Sequence, residues 1–219
     1  MLKNGNSIIP WNLNEVTSDL QKCFAENSEI ELLKVLKKNS FLFYELYSRK
    51  WGIQPLFHEV EFGNKLRCDF TWLNDNSDGP EWILLEVEQP NLPLFTKNNK
   101  PTQKLNNAIE QVKSWRRYFD ENPSEKKRIF GAVSKFRYVI VGGDLLEWQK
   151  EFPSKWRIDN NKNEIEIHSF NVFERALKIL KDRPDDLWSF QEYPISKNST
   201  ELQPFWENES WMDNWRKIL

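Results

Sequence analysis

KLRCDFTWLNDNSDGPEWILLEVE, residues 65–88, contains two strand-like runs around one turn. KLRCDFTWL (65–73) and EWILLEVE (81–88) are the runs, and NDNSDGP (74–80) is a cluster of turn formers that breaks the chain between them. Side chains alternate across a strand. The first run therefore puts Leu66, Cys68, Phe70 and Trp72 on one face and Arg67, Asp69 and Thr71 on the other. The second puts Ile83, Leu85 and Val87 on one face and Trp82, Leu84, Glu86 and Glu88 on the other. A run as apolar as WILLEVE belongs to a central strand covered on both faces. Carboxylates at the end of such a strand are costly to bury without compensation. At i and i+2 they stand roughly 7 Å apart, and two like charges there repel by about 2 kcal/mol at an effective dielectric near 20. Either one carboxyl is protonated or a cation lies nearby. Asp69, on the neighbouring strand, is a third oxygen donor. Oxygen ligands without a Cys or His partner favour Mg²⁺ or Mn²⁺ over zinc.

Upstream, PLFHEVEF (55–62) is a further strand, joined to the first run by a Gly63-Asn64 turn. A two-residue loop pairs His58 with Asp69 and points Glu59 and Glu61 away from the acidic face. One extra residue in the turn brings them round to it. The latter is favoured, because otherwise two more carboxylates sit on the more apolar side. Glu61 is then the candidate and Glu59 the spare; an exposed edge strand with ordinary surface glutamates is the alternative.

Residues 28–50 read as one helix, with Ser28 as N-cap, Glu31 completing a capping box and Ile30, Leu33 and Leu36 on its apolar stripe. Downstream, a proline-bearing loop leads into an amphipathic helix at 102–119. Its buried stripe is Leu105, Ala108, Ile109, Val112, Trp115 and Phe119. Lys104 and Gln111 lie within roughly 20° of each other on that helix. An amide at Gln111 can orient a water or phosphate oxygen, or simply be a half-buried polar residue at the helix–sheet interface. FRYVIVGG (136–143) and EIEIHSF (164–170) are strands, 144–152 is a short helix and VFERALKIL (172–180) is another. The order α-β-β-β-α-β implies an α/β fold with a mixed sheet flanked by helices. Residues 1–182 form the expected domain, with N-terminal helices and a core at about 40–180. Residues 183–219 are a Trp- and Pro-rich C-terminal extension.

Net charge is −2, so the molecule as a whole carries no field that attracts nucleic acid, and any such binding needs a local patch. Lys126-Lys127-Arg128 and Arg116-Arg117 are candidates, but a solvated helix face explains such runs more often. Cys23 and Cys68 lack the spacing of a structural zinc site or a disulfide framework and suit a reducing compartment. There is no apolar run of signal or membrane-spanning length. The expected location is the cytoplasm, without membrane contact. The 11 tryptophans show no fixed period, which excludes a propeller or solenoid and leaves core packing as the ordinary explanation.

Taken in order, Glu61-Phe62-Gly63, Asp69-Phe70, Leu85-Glu86-Val87-Glu88-x-Pro90, Phe95-Thr96-Lys97 and Ala108-Ile109-x-Gln111-Val112-x-x-Trp115 resemble the Shedu antiphage-defence nucleases, a branch of the PD-(D/E)xK superfamily. VIVGG (139–143) and the EIEIHSFNVFERAL region resemble that family's last core strands. The resemblance covers about 40–180 and implies a restriction-endonuclease-like core. It implies that Asp69 and Glu86 hold Mg²⁺ or Mn²⁺ with the Val87 carbonyl as third ligand, that Glu61 contributes through water, and that Gln111 supports the site. It further implies hydrolysis of DNA phosphodiester bonds. A 219-residue chain with little beyond that core has few surfaces for reading sequence, so the expected partner is double-stranded DNA recognised by its shape, ends or structure, with self-association bringing two sites to two strands. Two positions depart from the pattern. Glu88 stands where the superfamily has a lysine, and Gly143 where a final arginine is usual. An acid at 88 cannot stabilise the phosphate's developing charge; Lys104 or Lys97 is the candidate substitute, and Glu88 itself can serve a second metal or act as general base. The competing readings are a catalytically weak domain that binds nucleic acid or a partner, and a carbohydrate-active protein in which paired carboxylates flank an aromatic groove.

Overall fold

The apolar run of the third strand becomes β3 (Gly79–Val87), every residue of which is buried. It can be so because helices cover both of its faces. A computed structural model describes residues 9–63, 65–161 and 165–219. Asn64 of the expected turn and Glu164 of the expected strand lie outside the described residues. β3 stands near the middle of a six-stranded mixed sheet with β1 (Phe57–Phe62), β2 (Leu66–Asn76), β4 (Lys135–Val141), β5 (Ile165–His168) and the two-residue β6 (Lys197–Asn198). The order is β5-β4-β3-β2-β1-β6. β1, β2 and β3 are antiparallel neighbours, whereas β4 runs parallel to β3, β5 to β4 and β6 to β1. This is an α/β fold.

One face is covered by α1 (Leu13–Glu26), α2 (Glu29–Lys38) and α7 (Asn171–Asp182); α3 (Gln103–Glu121) and α4 (Pro123–Phe130) cover the other. α5 (Leu145–Trp148) and α6 (Glu151–Asn161) connect β4 to β5, and α8 (Leu202–Asn208) and α9 (Met212–Ile218) close the chain on the α3 side. Thr102 caps α3 by accepting the Leu105 N–H, and the buried stripe is Leu105, Ala108, Ile109, Val112, Trp115 and Phe119, as its periodicity requires. Residues 183–219 do not hang apart from the domain. Leu187 and Phe190 join the core beneath α1 and α7, while Leu202, Trp206 and Met212 join the core beneath α3.

The expected helix at 28–50 is shorter. Ser28 does cap it, accepting the Glu31 N–H, but α2 stops at Lys38 and a 3₁₀ turn (Ser40–Phe43) follows. The Asn39 amide donates to the Val35 carbonyl, and Ser40 is tied through its N–H to Pro194 and through its hydroxyl to Tyr193. The Asn39 cap is local, after two lysines in the last turn, and the Ser40 bonds to residues 193 and 194 hold the chain away from a further helical turn. Its stripe also differs. Leu32, Val35 and Leu36 are buried, and Ile30 is exposed.

NDNSDGP does not break the pairing. β2 and β3 form a hairpin in which Asn76 pairs with Gly79, and Asn74 and Asn76 both donate to the Glu81 carboxylate at 3.0 and 3.2 Å. The other hairpin pairs His58 with Phe70 and Phe62 with Leu66, one residue more in the turn than a two-residue loop gives.

Simple alternation fails at one place. Phe70 and Trp72 face the α1–α2–α7 core, whereas Cys68 and Leu66 face α3. On the partner strand Phe57 and Val60 face the α3 core together although three positions apart. Glu59, at φ 53°, stands between them. Both strands thus reverse face at Glu59 and Asp69 without losing register.

Candidate functional site

The reversal places Asp69 where the ladder between β2 and β3 ends, its last pair being Phe70 and Leu85. Beyond that pair the Val87 N–H lacks a strand partner, and the Asp69 carboxylate accepts it at 2.8 Å. Glu86 lies next to Val87 on the face toward α3, where the Gln111 amide donates to its Oε1 at 2.6 Å. Gln111 therefore orients a carboxylate. Asp69 and Glu86 are only 7% and 8% exposed, and Glu86 Oε2 is a buried oxygen without a hydrogen-bond partner. An orphaned acceptor of this kind in an acidic cavity costs free energy unless something cationic or protonic meets it.

A cavity of about 540 Å³ opens at this point. The structure brings Glu61, Asp69, Glu86 and Gln111 together in its wall, adds Glu29 from the first turn of α2, and sets Lys65 and Arg67 at the hairpin end. Glu59 is turned away, bound to Lys37 at 2.9 Å and more loosely to Arg67 at 3.7 Å. Glu88 is half-buried beside the cavity, outside the residues that line it, with its N–H on the Val141 carbonyl. Lys104 donates to Gln89 Oε1 at 2.9 Å, and Lys97 lies in the exposed turn that follows Phe95.

Crowded carboxyls in a partly dehydrated place hold their protons. Burial, opposed by the Val87 N–H and reinforced by Glu29, raises Asp69 to about 6. Burial and then the neighbouring Asp69, Glu88 and Glu29 push Glu86 well above the ordinary carboxylate range. Glu88 rises to about 7, through burial and the charges of Glu29 and Asp69, with Lys104 pulling the other way. Burial also raises Glu29.

Glu29 was not a candidate in the sequence. An acid in a helix's first turn is adequately explained as a complement to the helix dipole, and no spacing ties residue 29 to residues 69 and 86. Glu88 owes its position to a glycine. A Cβ at Gly142 would stand 2.6 Å from the Glu88 Cβ. Gly142→Ala is expected to displace Glu88 and cost about 1–3 kcal/mol of stability, read as a lower midpoint in urea unfolding; an unchanged midpoint would show that the two strand ends yield freely.

Among the described residues no three His, Cys, Asp or Glu side chains converge into a ready metal cage. The donor set still fits a hard divalent cation. Mg²⁺ keeps several waters and is bound by one or two carboxylates plus substrate phosphates, so it does not require a closed protein cage. Asp69 and the orphaned oxygen of Glu86 supply that much. The aromatic groove of a sugar-cleaving site is not present at this cavity, where Trp115 is the one tryptophan among the described lining residues. Trp72, Trp82, Trp115 and Trp148 are fully buried core residues. The basic runs are engaged locally: Arg128 with Glu125 at 2.8 Å, Lys127 with the Arg216 carbonyl at 3.0 Å and Arg117 with Glu110 at 3.8 Å.

The family model described as "Shedu protein SduA, C-terminal" matches residues 26–173, a span that contains every acidic residue of the cavity. No curated protein matches the chain. Among the described residues no helix is long and apolar enough to cross a membrane.

Proposed function

The chain belongs to the Shedu family, and from that premise we propose that it is a divalent-metal-dependent DNA endonuclease or nickase of antiphage defence. The family link supports defence. The observation that carries the chemistry is the buried, unpartnered Glu86 Oε2 beside Asp69. Asp69 and Glu86, with the Val87 backbone between their anchoring points, are the residues to hold Mg²⁺ or Mn²⁺. Such an ion would supply Lewis acidity at the scissile phosphate and lower the pKa of a bound water below that of bulk water.

The chain's own groups prepare that site. The Val87 N–H fixes Asp69 and the Gln111 amide fixes Glu86, so neither carboxylate has to reorganise when a cation arrives. Glu61 and Glu29 add negative charge at the wall. Glu88, half-buried beside the cavity and raised to about 7 by burial and its acidic neighbours, is the candidate to exchange a proton there or to serve a second metal. DNA is the proposed partner, and a homo-oligomer the proposed working state for cutting two strands.

Supercoiled plasmid incubated with Mg²⁺ or Mn²⁺ is expected to be nicked or linearised by the wild-type protein and left intact by Asp69→Ala. Plasmid that stays intact with the wild-type protein across metals and DNA forms sinks the hydrolytic reading. DNA binding retained in that case favours the second reading, a binding module without catalysis, for which Glu88 at the lysine position is the supporting observation.

A further inference from the structure

The residue that would normally bring positive charge to such a cleft is absent, and the two lysines expected to replace it are elsewhere. Lys104 is bonded to Gln89 and Lys97 is in an exposed turn; neither lines the cavity. The cations that do so, among the described residues, are Lys65 and Arg67. We propose that Arg67 is the phosphate-binding cation of this cleft, with Lys65 beside it on the same hairpin, so that the charge missing from β3 is delivered by β2.

Position and chemistry both support Arg67. It precedes the face reversal at Asp69 by two residues and pairs across the ladder with Glu61, another lining residue. Its charge acts on both Asp69 and Glu86, opposing the rise in their proton affinity. Its guanidinium is half exposed, and its ion pair with Glu59 is long at 3.7 Å. Glu59 does not depend on that pair, because Lys37 holds it at 2.9 Å. Little is therefore lost when Arg67 leaves Glu59 for a phosphate. A guanidinium presents paired donors in a plane, which suits two oxygens of one phosphate. Among the described residues of this wall, the charged or titratable side chains apart from Lys65 and Arg67 are the carboxyls of Glu29, Glu61, Asp69 and Glu86, none of which attracts a phosphate.

This assignment rests on the phosphodiester reading of the same cleft, but binding tests it apart from cleavage. The probe is a fluorescent DNA duplex titrated in Ca²⁺ over a salt series of about 50–200 mM. Arg67→Ala is expected to weaken binding about ten-fold. It should also make the dependence of log K on log salt shallower by about one unit, the loss of one phosphate contact. Arg67→Lys should keep the slope while binding more weakly than wild type. Lys178→Ala, an exposed change on α7, should alter neither quantity. An Arg67→Ala protein with unchanged slope overturns the assignment, whether or not its affinity falls, as does a wild-type protein that does not bind the duplex. Plasmid nicking in parallel separates the two ideas. Intact plasmid with the binding pattern present removes the hydrolytic reading and leaves Arg67 in place. Cut plasmid with an unchanged slope does the reverse.

Discussion

Glu86→Gln is expected to melt at a higher temperature than the wild-type protein and to lose plasmid cutting by about three orders of magnitude or more. The stability gain follows from the site itself. Glu86 is buried with Asp69, Glu88 and Glu29 around it and leaves one oxygen without a partner. A glutamine is neutral and of similar shape, and it still accepts the Gln111 amide through its carbonyl. Replacing a carboxyl that folding forces to keep its proton should return roughly 1–3 kcal/mol near neutral pH, a rise of about 2–4 °C per kcal/mol for a chain of this size. Divalent cation should then reverse the ranking. Mg²⁺ at about 100 times its dissociation constant stabilises the native state by about 2.7 kcal/mol, and only the wild-type protein should respond. Equal melting temperatures together with equal responses to Mg²⁺ would refute the assignment of Glu86 as a strained metal ligand.

The same comparison has a pH signature. A carboxyl whose pKa is raised by folding keeps its proton in the native state after the unfolded chain has released it. Its contribution to stability is thus full below the unfolded value near 4 and is withdrawn as pH rises through the folded value. Asp69 at about 6 and Glu88 at about 7 place that loss between about pH 4 and 7. Wild-type stability in chelator should therefore fall from pH 5 to pH 8, and Glu86→Gln should fall less because a neighbouring charge has gone. The advantage of the variant is accordingly larger at pH 8.

The second large effect is loss of the fold on truncation after Asp182. Leu187, Phe190, Leu202, Trp206 and Met212 are each no more than 5% exposed, and they fill both cores. At about 1.5–3 kcal/mol for each large apolar side chain removed, the loss is on the order of 10 kcal/mol, as large as the whole stability of an ordinary domain. Trp206 also sits over Gly131 so closely that a Cβ there would be 2.6 Å from its ring, and it donates to the Ile129 carbonyl at 2.9 Å. The truncated chain should show no cooperative thermal transition by circular dichroism and rapid proteolysis. A cooperative, protease-resistant 1–182 fragment would show that the segment is an appendage after all.

How far the sequence could be read depended on how local the cause was. The α3 stripe and the burial of β3 are periodic patterns within one element, so composition and spacing suffice. Glu86 and Gln111 meet because alternation holds along β3 and periodicity along α3, whereas Asp69 joins them through the reversal on β2. The course of the chain after α2 depends on Ser40 meeting residues 193 and 194, and Glu29 meets the acidic cluster through space. Neither leaves a trace in spacing. The reversal at Glu59 and Asp69 escaped for another reason. It needs a glutamate at positive φ, a conformation L-residues other than Asn and Asp rarely adopt.

β6 has a consequence in time. The edge of β1 that binds Lys197 and Asn198 is complete once Phe62 has been made, yet its partner comes more than half a chain later. At about 5–20 residues per second the ribosome takes on the order of ten seconds to cover that distance. During that interval β1 presents an open row of backbone donors and acceptors, the kind of edge that recruits foreign strands. Closure comes at Phe57 and His58, the two positions that Lys197 and Asn198 finally pair.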